Sequence, residues 1–172
     1  MKKQKEPLLK KKRPKSIDIA FDNLLELAER LSFFDEMKKY QMVKVLRNLE
    51  GHVFVYEKDD CIVLEAEKDT ELYIILSGDV IVQKGLQEFS AIGKILSGDF
   101  FGEISFIMGT PRLATVVANS KTIVLRLSEE NFSNLEPMVQ IRIKDKILKK
   151  LVTRLHTMNE SVQKLLEENI AD

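Results

Sequence analysis

Hydrophobic positions recur with a helical period at both ends of the chain and with a strand-like pattern between them. In the first part, about residues 17–50, apolar residues stand three and four apart, and Gly51 follows as a helix stop signal. The helical period returns over residues 129–172, where Ser128 is a good helix cap and Pro137 marks a boundary before a long helix. We therefore predict helical segments on either side of a central segment of another kind.

The central segment, residues 51–128, contains short runs of β-branched and aromatic residues separated by polar turn residues. We predict six strands, at 52–56, 61–66, 72–82, 89–96, 114–118 and 122–127. This spacing is typical of an antiparallel sandwich or barrel and not of alternating strand–helix units. Gly78 interrupts an otherwise continuous strand pattern, which predicts a bend, a bulge or a close approach of another backbone there.

The long C-terminal segment also carries an apolar seam with alternating spacings of three and four residues. This pattern fits either a helix that packs on its own domain or a two-helix contact between copies of the chain, parallel or antiparallel. We expect the second, a homodimer through the C-terminal helix. The residues of the seam are Leu148, Leu151, Leu155, Met158, Val162 and Leu165.

Charge is unevenly distributed, although the 172 residues balance overall, with 27 Lys and Arg against 27 Asp and Glu. Residues 1–16 contain eight Lys or Arg and one acid, which leaves 19 basic and 26 acidic residues elsewhere. We predict a disordered basic arm over residues 1–16. The alternative is an electrostatic contact of this arm with nucleic acid, an anionic membrane or an acidic partner, which we do not favour.

The composition excludes several classes of protein. The two histidines, His52 and His156, are too few and too far apart for a His-rich metal site, and the single Cys61 cannot form an internal disulfide. No stretch reaches the roughly 20 apolar residues of a membrane-spanning helix, and the N-terminus lacks the apolar run of a secretory signal. We therefore expect a cytoplasmic protein.

The candidate chemistry lies in residues 97–118. Gly102 precedes a short apolar helical turn whose first N–H groups have no partner within the turn, an arrangement that favours an anion. Arg112 stands just before the next strand and supplies a cation for a phosphate. Glu103 would repel a phosphate but accepts a hydrogen bond from a sugar hydroxyl. The residues alone leave two alternatives: a nucleotide site, or an ion pair between Glu103 and Arg112.

This stretch resembles the phosphate-binding cassette of the cyclic nucleotide-binding domain family, of the type found in catabolite activator proteins and in regulatory subunits of cyclic AMP-dependent kinases. The cassette pattern is matched by F-G-E-I-S at 101–105 and by P-R-L-A-T at 111–115. Upstream, L-Y-I-I-L-S-G-D-V at 72–80 resembles the family's strand pattern, and S-G-D-F at 97–100 resembles the turn before the cassette. The resemblance covers about residues 31–160.

The resemblance implies a fold and a set of roles. The fold is mainly β with flanking helices: an antiparallel double-stranded β-helix (a jelly-roll barrel) over 51–128, N-terminal helices and a long C-terminal helix. Arg112 is expected to pair with the cyclic phosphate and Glu103 to take the ribose 2′-hydroxyl, while backbone N–H groups complete the cradle. The expected ligand-binding residues are Gly102, Glu103, Ile104, Ser105, Arg112, Leu113, Ala114 and Thr115.

The chain departs from the family pattern in a turn and in the residue after the arginine, and the second departure bears on the choice of base. Ala66 and Asp69 stand where the family usually has the glycines of a turn; Asp tolerates a left-handed turn, whereas Ala66 suggests a different loop. Leu113 has no hydroxyl that could reach a guanine, so we expect cyclic AMP as the ligand, with cyclic GMP left open. Candidates for the wall around the base, with plain core as the alternative, are Ile74, Leu76, Ile92 and Val116.

These expectations combine into a stand-alone cyclic nucleotide receptor that has no DNA-binding domain after its long helix. Binding is expected to move the C-terminal helices and to act on an unidentified downstream protein. We expect no enzymatic activity, no cofactor and no metal, since no nucleophile–base pair or cluster of metal ligands is evident. The alternative is a dimeric interaction or scaffold protein with a vestigial pocket, which acts through its heptad helix and basic arm.

Overall fold

The computed structural model describes residues 11–85 and 90–170, which form two units that meet in sequence at Leu135 and Glu136. The helices are Phe21–Ala28 (α1), Lys39–Asn48 (α2), Glu103–Met108 (α3), Glu129–Ser133 (α4) and Pro137–Ile170 (α5), with a 3-10 turn at Ser32–Phe34. The strands are Lys15–Ser16 (β1), Val53–Tyr56 (β2), Cys61–Val63 (β3), Leu72–Ser77 (β4), Asp79–Lys84 (β5), Ser90–Leu96 (β6), Phe100–Phe101 (β7), Thr115–Ala118 (β8) and Thr122–Leu127 (β9).

The strands pair in two antiparallel sheets, with the orders β1-β2-β9-β4-β7 and β3-β8-β5-β6. Side chains from both sheets form one buried cluster, which makes this unit a sandwich. The fold is thus mainly β with flanking helices, as predicted; the jelly-roll barrel stays a prediction, because the described strands do not join into one closed sheet. The cluster contains Tyr56, Ile62, Val63, Tyr73, Ile75, Val80, Ile95, Phe101, Val116, Ala118 and Val124.

Gly78 divides the predicted strand 72–82 into β4 and β5. Its φ is +85°, and a Cβ at this position would lie 2.4 Å from the carbonyl oxygen of Lys121. The predicted close approach of another backbone is therefore confirmed, and any other residue at position 78 would clash with main-chain atoms. The two-residue strands β1 and β7 were not predicted, because two residues carry too little pattern to identify a strand.

A second group of buried side chains comes from the N-terminal helices and from the aromatic residues Phe33 and Phe100. Leu24 and Ala28, one turn apart in α1, are buried, as are Val45 and Leu46 of α2. The ring of Phe33 packs edge-on against Phe100 at 5.4 Å between centroids. Because Phe100 belongs to β7 and immediately precedes the candidate cassette, this packing anchors the strand from which the site begins.

The N-terminal segment differs from the prediction of a disordered arm over residues 1–16. Residues 1–10 lie outside the described part of the chain, but Lys15 and Ser16 pair with Val55 and Phe54 of β2. The N–H of Lys12 also donates to the carbonyl oxygen of Cys61 at 3.2 Å. Backbone pairing, which composition does not reveal, thus places residues 11–16 along two strands.

The second unit is the single long helix α5. Its seam side chains from Leu148 to Leu165 are exposed apart from the half-buried Leu151, and Leu155, near the middle, is 59% exposed.

The predicted cap at Ser128, which starts α4 in the first unit, is confirmed, since its Oγ accepts the N–H of Asn131 at 3.1 Å. Among the helices that the structure describes, none is long and apolar enough to cross a bilayer.

Candidate functional site

The site begins where the chain leaves β7 through Gly102. This residue has a φ of +84° and directs the chain into α3, which starts at Glu103. A Cβ at position 102 would lie 2.3 Å from Nη1 of Arg112 and 2.8 Å from the carbonyl oxygen of Glu71. Glycine is therefore required both by the backbone conformation and by the arginine that packs against it.

Arg112 is the centre of the site, although it lies in the loop between α3 and β8. Its backbone is fixed by two hydrogen bonds, from its N–H to Glu67 O at 2.9 Å and from the N–H of Ala66 to its own carbonyl oxygen at 2.8 Å. The whole residue is only 3% exposed, and its guanidinium lies over the ring of Tyr73, 5.3 Å from the centroid. The backbone of Arg112 is thus held by the segment before β4, and its guanidinium lies against β4 itself.

The guanidinium of Arg112 is only partly satisfied. Nη2 donates to the Asp69 carboxylate at 2.8 Å and to Glu71 O at 2.6 Å, and Nη1 donates to Gly102 O at 3.1 Å. Its Nε is buried and has no hydrogen-bond partner within the described residues. A buried N–H without an acceptor costs about 1–3 kcal/mol, so the remaining donor favours binding of an acceptor from outside the chain.

Backbone N–H groups of the cassette provide further donors in addition to the Nε of Arg112. Among the described residues no acceptor pairs with the N–H groups of Ile104 and Ser105, which open α3, or of Ala114, which precedes β8. The first N–H groups of a helix have no carbonyl one turn back, and their partial positive charge favours an anion. The cassette thus combines a buried cation with unpaired backbone donors, the requirement for holding one phosphate.

Asp69 is the main residue that the sequence analysis missed. It was interpreted as a tolerated turn residue, whereas its carboxylate pairs with Arg112 and accepts the hydroxyl of Tyr73 at 2.9 Å. Burial alone would raise the pKa of Asp69, but the hydrogen bond from the Glu71 N–H, the charge of Arg112 and the Tyr73 hydroxyl outweigh it and lower that pKa. An acid in the turn before a tyrosine-containing strand was the only sequence signal.

A second ion pair lies beside the first. Arg126 of β9 donates from Nε at 2.6 Å and from Nη2 to the same oxygen, Oε2, of Glu71. The Tyr73 hydroxyl lies 3.4 Å from that oxygen and the Arg126 guanidinium lies 4.5 Å from the centroid of the Phe54 ring. The carbonyl oxygen of Glu71 thus accepts a hydrogen bond from Arg112, and its carboxylate accepts from Arg126. Glu71 therefore connects the cassette to the five-stranded sheet.

The other predicted site residues are placed as follows. Glu103, the first residue of α3, is 4% exposed. Ser105 is buried and its Oγ donates to Pro111 O at 3.3 Å, which ties α3 to the turn before Arg112. Thr115 is buried at the start of β8, where its Oγ1 accepts the N–H of Glu65 at 3.1 Å. Leu113 is exposed and Ala114 is half-buried. Their contacts with a ligand stay predictions.

The candidates for a wall around the base are scattered. Val116 belongs to the cluster between the sheets, and Ile74 and Leu76 are buried outside it. Side chains alternate along a strand, so Ile74 faces away from the cluster that contains its neighbours Tyr73 and Ile75. Ile92 is 60% exposed on β6, so the four do not form one surface.

Ala66 adopts the conformation that a glycine would adopt. Its φ is +66°, in the left-handed region that costs an L-residue about 1–2 kcal/mol. The prediction of a different loop at Ala66 is therefore not what the backbone shows. The N–H of Ala66 donates to the carbonyl oxygen of Arg112, and this hydrogen bond offsets the strain. The same bond lets the loop support the backbone of the arginine.

The fold and the cassette are similar to a known class of domain. Residues 53–136 match the family model described as the cyclic nucleotide-binding domain. The resemblance to this family that the sequence showed is therefore confirmed for this part of the chain.

Individual proteins show the same similarity. A cAMP-dependent protein kinase regulatory subunit from Candida albicans is 32% identical over 124 residues, which are 66% of this chain and 26% of the relative. A cyclic nucleotide-binding domain from Methylobacillus flagellatus has the same fold, with a TM-score of 0.70 at 23% identity over 83% of this chain and 82% of that one. The regulatory domain of Toxoplasma gondii PKA, solved with cAMP, gives 0.63 at 25% identity over 75% and 50%. The chain thus spans about a quarter of the length of its curated relative.

Proposed function

We propose that this chain is a receptor for a cyclic nucleotide, whose singly charged phosphodiester binds at Arg112. The observation that carries the proposal is the buried Nε of Arg112, which has no partner among the described residues. The unpaired N–H groups of Ile104, Ser105 and Ala114 supply further donors to the same anion. A charge-assisted hydrogen bond from a buried guanidinium is stronger than one between neutral groups, so Arg112 contributes most of the phosphate affinity.

The sugar and the base are assigned to two other residues of the cassette. Glu103 is proposed to accept the ribose 2′-hydroxyl, a role that suits a buried carboxylate at the start of α3. Leu113 offers no hydroxyl to a guanine, and the relative from Candida albicans is named as cAMP-dependent. We therefore propose cyclic AMP as the main ligand, with cyclic GMP as the weaker one. The site offers charge pairing and hydrogen bonds, so we propose binding without turnover.

Calorimetric titration of the full chain with cyclic AMP, cyclic GMP and linear 5′-AMP tests this function. We expect cyclic AMP to bind tightest and 5′-AMP much more weakly, because a dianionic terminal phosphate does not fit a cradle for a ring-closed monoanion. Binding of cyclic GMP at least tenfold tighter than cyclic AMP would overturn the choice of base. No heat from either cyclic nucleotide, in a folded sample, would overturn the receptor function.

The receptor is proposed to be a homodimer joined through α5 that acts on an unidentified downstream protein. The seam residues Leu148, Leu155, Met158, Val162 and Leu165 are all more than half exposed, as is Val152 beside them. An exposed apolar stripe of this length on one helix is typical of a two-helix contact. In this proposal ligand binding moves the C-terminal helices, which requires that the ligand bind more tightly in one helix position than in the other.

The exposed seam equally favours the second candidate function, a dimeric scaffold whose pocket is vestigial. Sedimentation equilibrium of wild type, Leu155→Asp and Thr153→Asp addresses both candidates. Leu155→Asp is expected to be monomeric, while Thr153→Asp places the same charge on the opposite helix face and stays dimeric. A monomeric wild type would exclude a dimer in both candidate functions. A dimer that binds no cyclic nucleotide would favour the scaffold.

A further inference from the structure

The ordered end of the basic segment lies along the sandwich as a strap, which we define as residues 11–17. Its backbone is held near both ends, by the hydrogen bond from Lys12 N–H to Cys61 O at 3.2 Å and by that from Ile17 N–H to Val53 O at 3.0 Å. Between them Lys15 and Ser16 pair with β2. The strap therefore has a defined register, which fixes where its side chains reach.

Lys11, the first residue of the strap, reaches the loop that holds Arg112. Its Nζ lies 2.8 and 2.9 Å from the two carboxylate oxygens of Glu67 and 3.4 Å from Oδ2 of Asp69. The other oxygen of Asp69, Oδ1, accepts from Arg112 at 2.8 Å. One carboxylate thus joins two cations, one from the strap and one from the proposed phosphate site.

The charges of this cluster explain why the connection matters. Lys11, Glu67, Asp69 and Arg112 together sum to zero, so without Lys11 an anion at Arg112 faces two carboxylates and a single cation. The Arg112 and Asp69 side chains are only 2% and 10% exposed, so solvent and salt screen their interaction weakly. The Lys11 side chain is 30% exposed, which leaves its own contribution modest and salt-dependent.

We propose that Lys11 is a positioning residue of the anion site: it holds Asp69 against Arg112 and offsets the acidic charge, so that docking of the strap and binding of the cyclic nucleotide strengthen each other. The inference rests on the proposed function. Because coupling between two binding events is reciprocal, the ligand tightens the strap by the same factor by which the strap tightens the ligand. The basic segment thereby gains a physical route to respond to the ligand.

The strap supplies its own matched control. Lys12 is adjacent, carries the same charge and pairs with Asp60 at 2.8 Å, a carboxylate with no contact to Arg112 among the bonds of the described residues. Lys12→Gln therefore removes the same charge from the same segment without touching the Asp69 bridge. Lys11→Arg keeps the charge and serves as the rescue.

Calorimetric titration with cyclic AMP at about 50 mM and about 500 mM salt tests the proposal on full-length wild type and these variants. Lys11→Gln is expected to weaken binding about two- to fivefold at low salt and less at high salt, Lys11→Arg to restore it, and Lys12→Gln to match wild type. Hydrogen exchange of the wild-type strap amides is expected to slow by a similar factor when cyclic AMP is saturating.

Each other outcome decides against the inference. Equal affinities for wild type and Lys11→Gln, or an equal loss in Lys12→Gln, show that Lys11 has no specific role while leaving the proposed function intact. Strap amides that exchange at the same rate with and without ligand show that docking is not coupled. A folded wild type that binds no cyclic nucleotide removes the proposed function itself, and the inference with it.

Discussion

Two arginine–carboxylate pairs lie side by side in this domain, but they differ in whether the Nε of the guanidinium has a hydrogen-bond acceptor. In the first region, Arg112 of the cassette pairs with Asp69 and keeps a buried Nε without a partner in the described structure. In the second, Arg126 of β9 uses both Nε and Nη2 on Glu71. Tyr73 contacts both, since each guanidinium lies within 6 Å of its ring centroid.

This difference shows that an ion pair and burial by themselves do not identify an arginine that binds a ligand. Arg126 has its Nε satisfied inside the protein, and its pair with Glu71 connects β9 to the residue before β4. Arg112 is more deeply buried and has more partners, but it keeps an unused donor, and the cassette also contains backbone N–H groups without an acceptor among the described residues. The unsatisfied arginine, not the more exposed one, is the one we assign to the ligand.

The largest expected effect separates the two arginines directly. Arg112→Ala is expected to weaken cyclic AMP binding at least about 30-fold, because removing one partner of a buried charged contact costs about 2–5 kcal/mol. Arg126→Ala is expected to keep affinity within about threefold but to lower the free energy of unfolding by about 1–3 kcal/mol. Calorimetry gives the affinities and urea denaturation the stabilities.

Circular dichroism and thermal unfolding are the controls for that pair, since Arg112→Ala also leaves Asp69 without its cation. The comparison fails if folded Arg112→Ala binds cyclic AMP as tightly as wild type. It fails in the other direction if Arg126→Ala loses binding to the same degree.

A smaller effect is expected from the glycine that admits the guanidinium. Gly102→Ala adds a methyl 2.3 Å from Arg112 Nη1 at a φ of +84°. Gly109→Ala, at the other end of α3, has a positive φ of +64° but meets nothing within 4 Å. We expect Gly109→Ala to cost about 1 kcal/mol and Gly102→Ala about 3 kcal/mol, with a loss of cyclic AMP affinity in the second only. Equal costs would show that Arg112 does not occupy the space beside Gly102.

The smallest effect concerns pH and the acid that holds Arg112. Because the pKa of Asp69 is lowered in the folded protein, its stabilisation is full above the unfolded pKa, about 3.9, and is lost as the pH falls through the folded value. The free energy of unfolding, measured by urea denaturation between about pH 2 and pH 6, should therefore fall below about pH 4 less steeply in Asp69→Asn than in wild type.

A residual slope is expected in that variant. Hydrogen bonds from Ser120, Asn119 and Lys94 hold the pKa of Asp79 at about 2, so Asp79 loses its charge in the same acid range. An unchanged slope in Asp69→Asn would mean that Asp69 does not carry the charge that pairs with Arg112.

Local patterns predicted much of the fold and the proposed cassette. The strand at 122–127 was predicted with the bounds it has, and the cap at Ser128 and the close approach at Gly78 were confirmed. The motif around Arg112 was sufficient to predict the similarity to the family model. Each of these depends on neighbours in sequence: a run of alternating side chains, a capping hydroxyl, a short motif. Such features are visible wherever a few consecutive residues determine the outcome.

The order of the elements, the mainly β class and the identity of the proposed phosphate-binding arginine could all be predicted from the amino-acid sequence. Only the tertiary structure decided what surrounds that arginine: Asp69, 43 residues away, its neighbour Glu71, and Lys11, which the composition had placed in a disordered arm. Strand pairing brings these residues together, and a contact between strands leaves no periodic signature along the chain, since its partners are set by the register of the sheet.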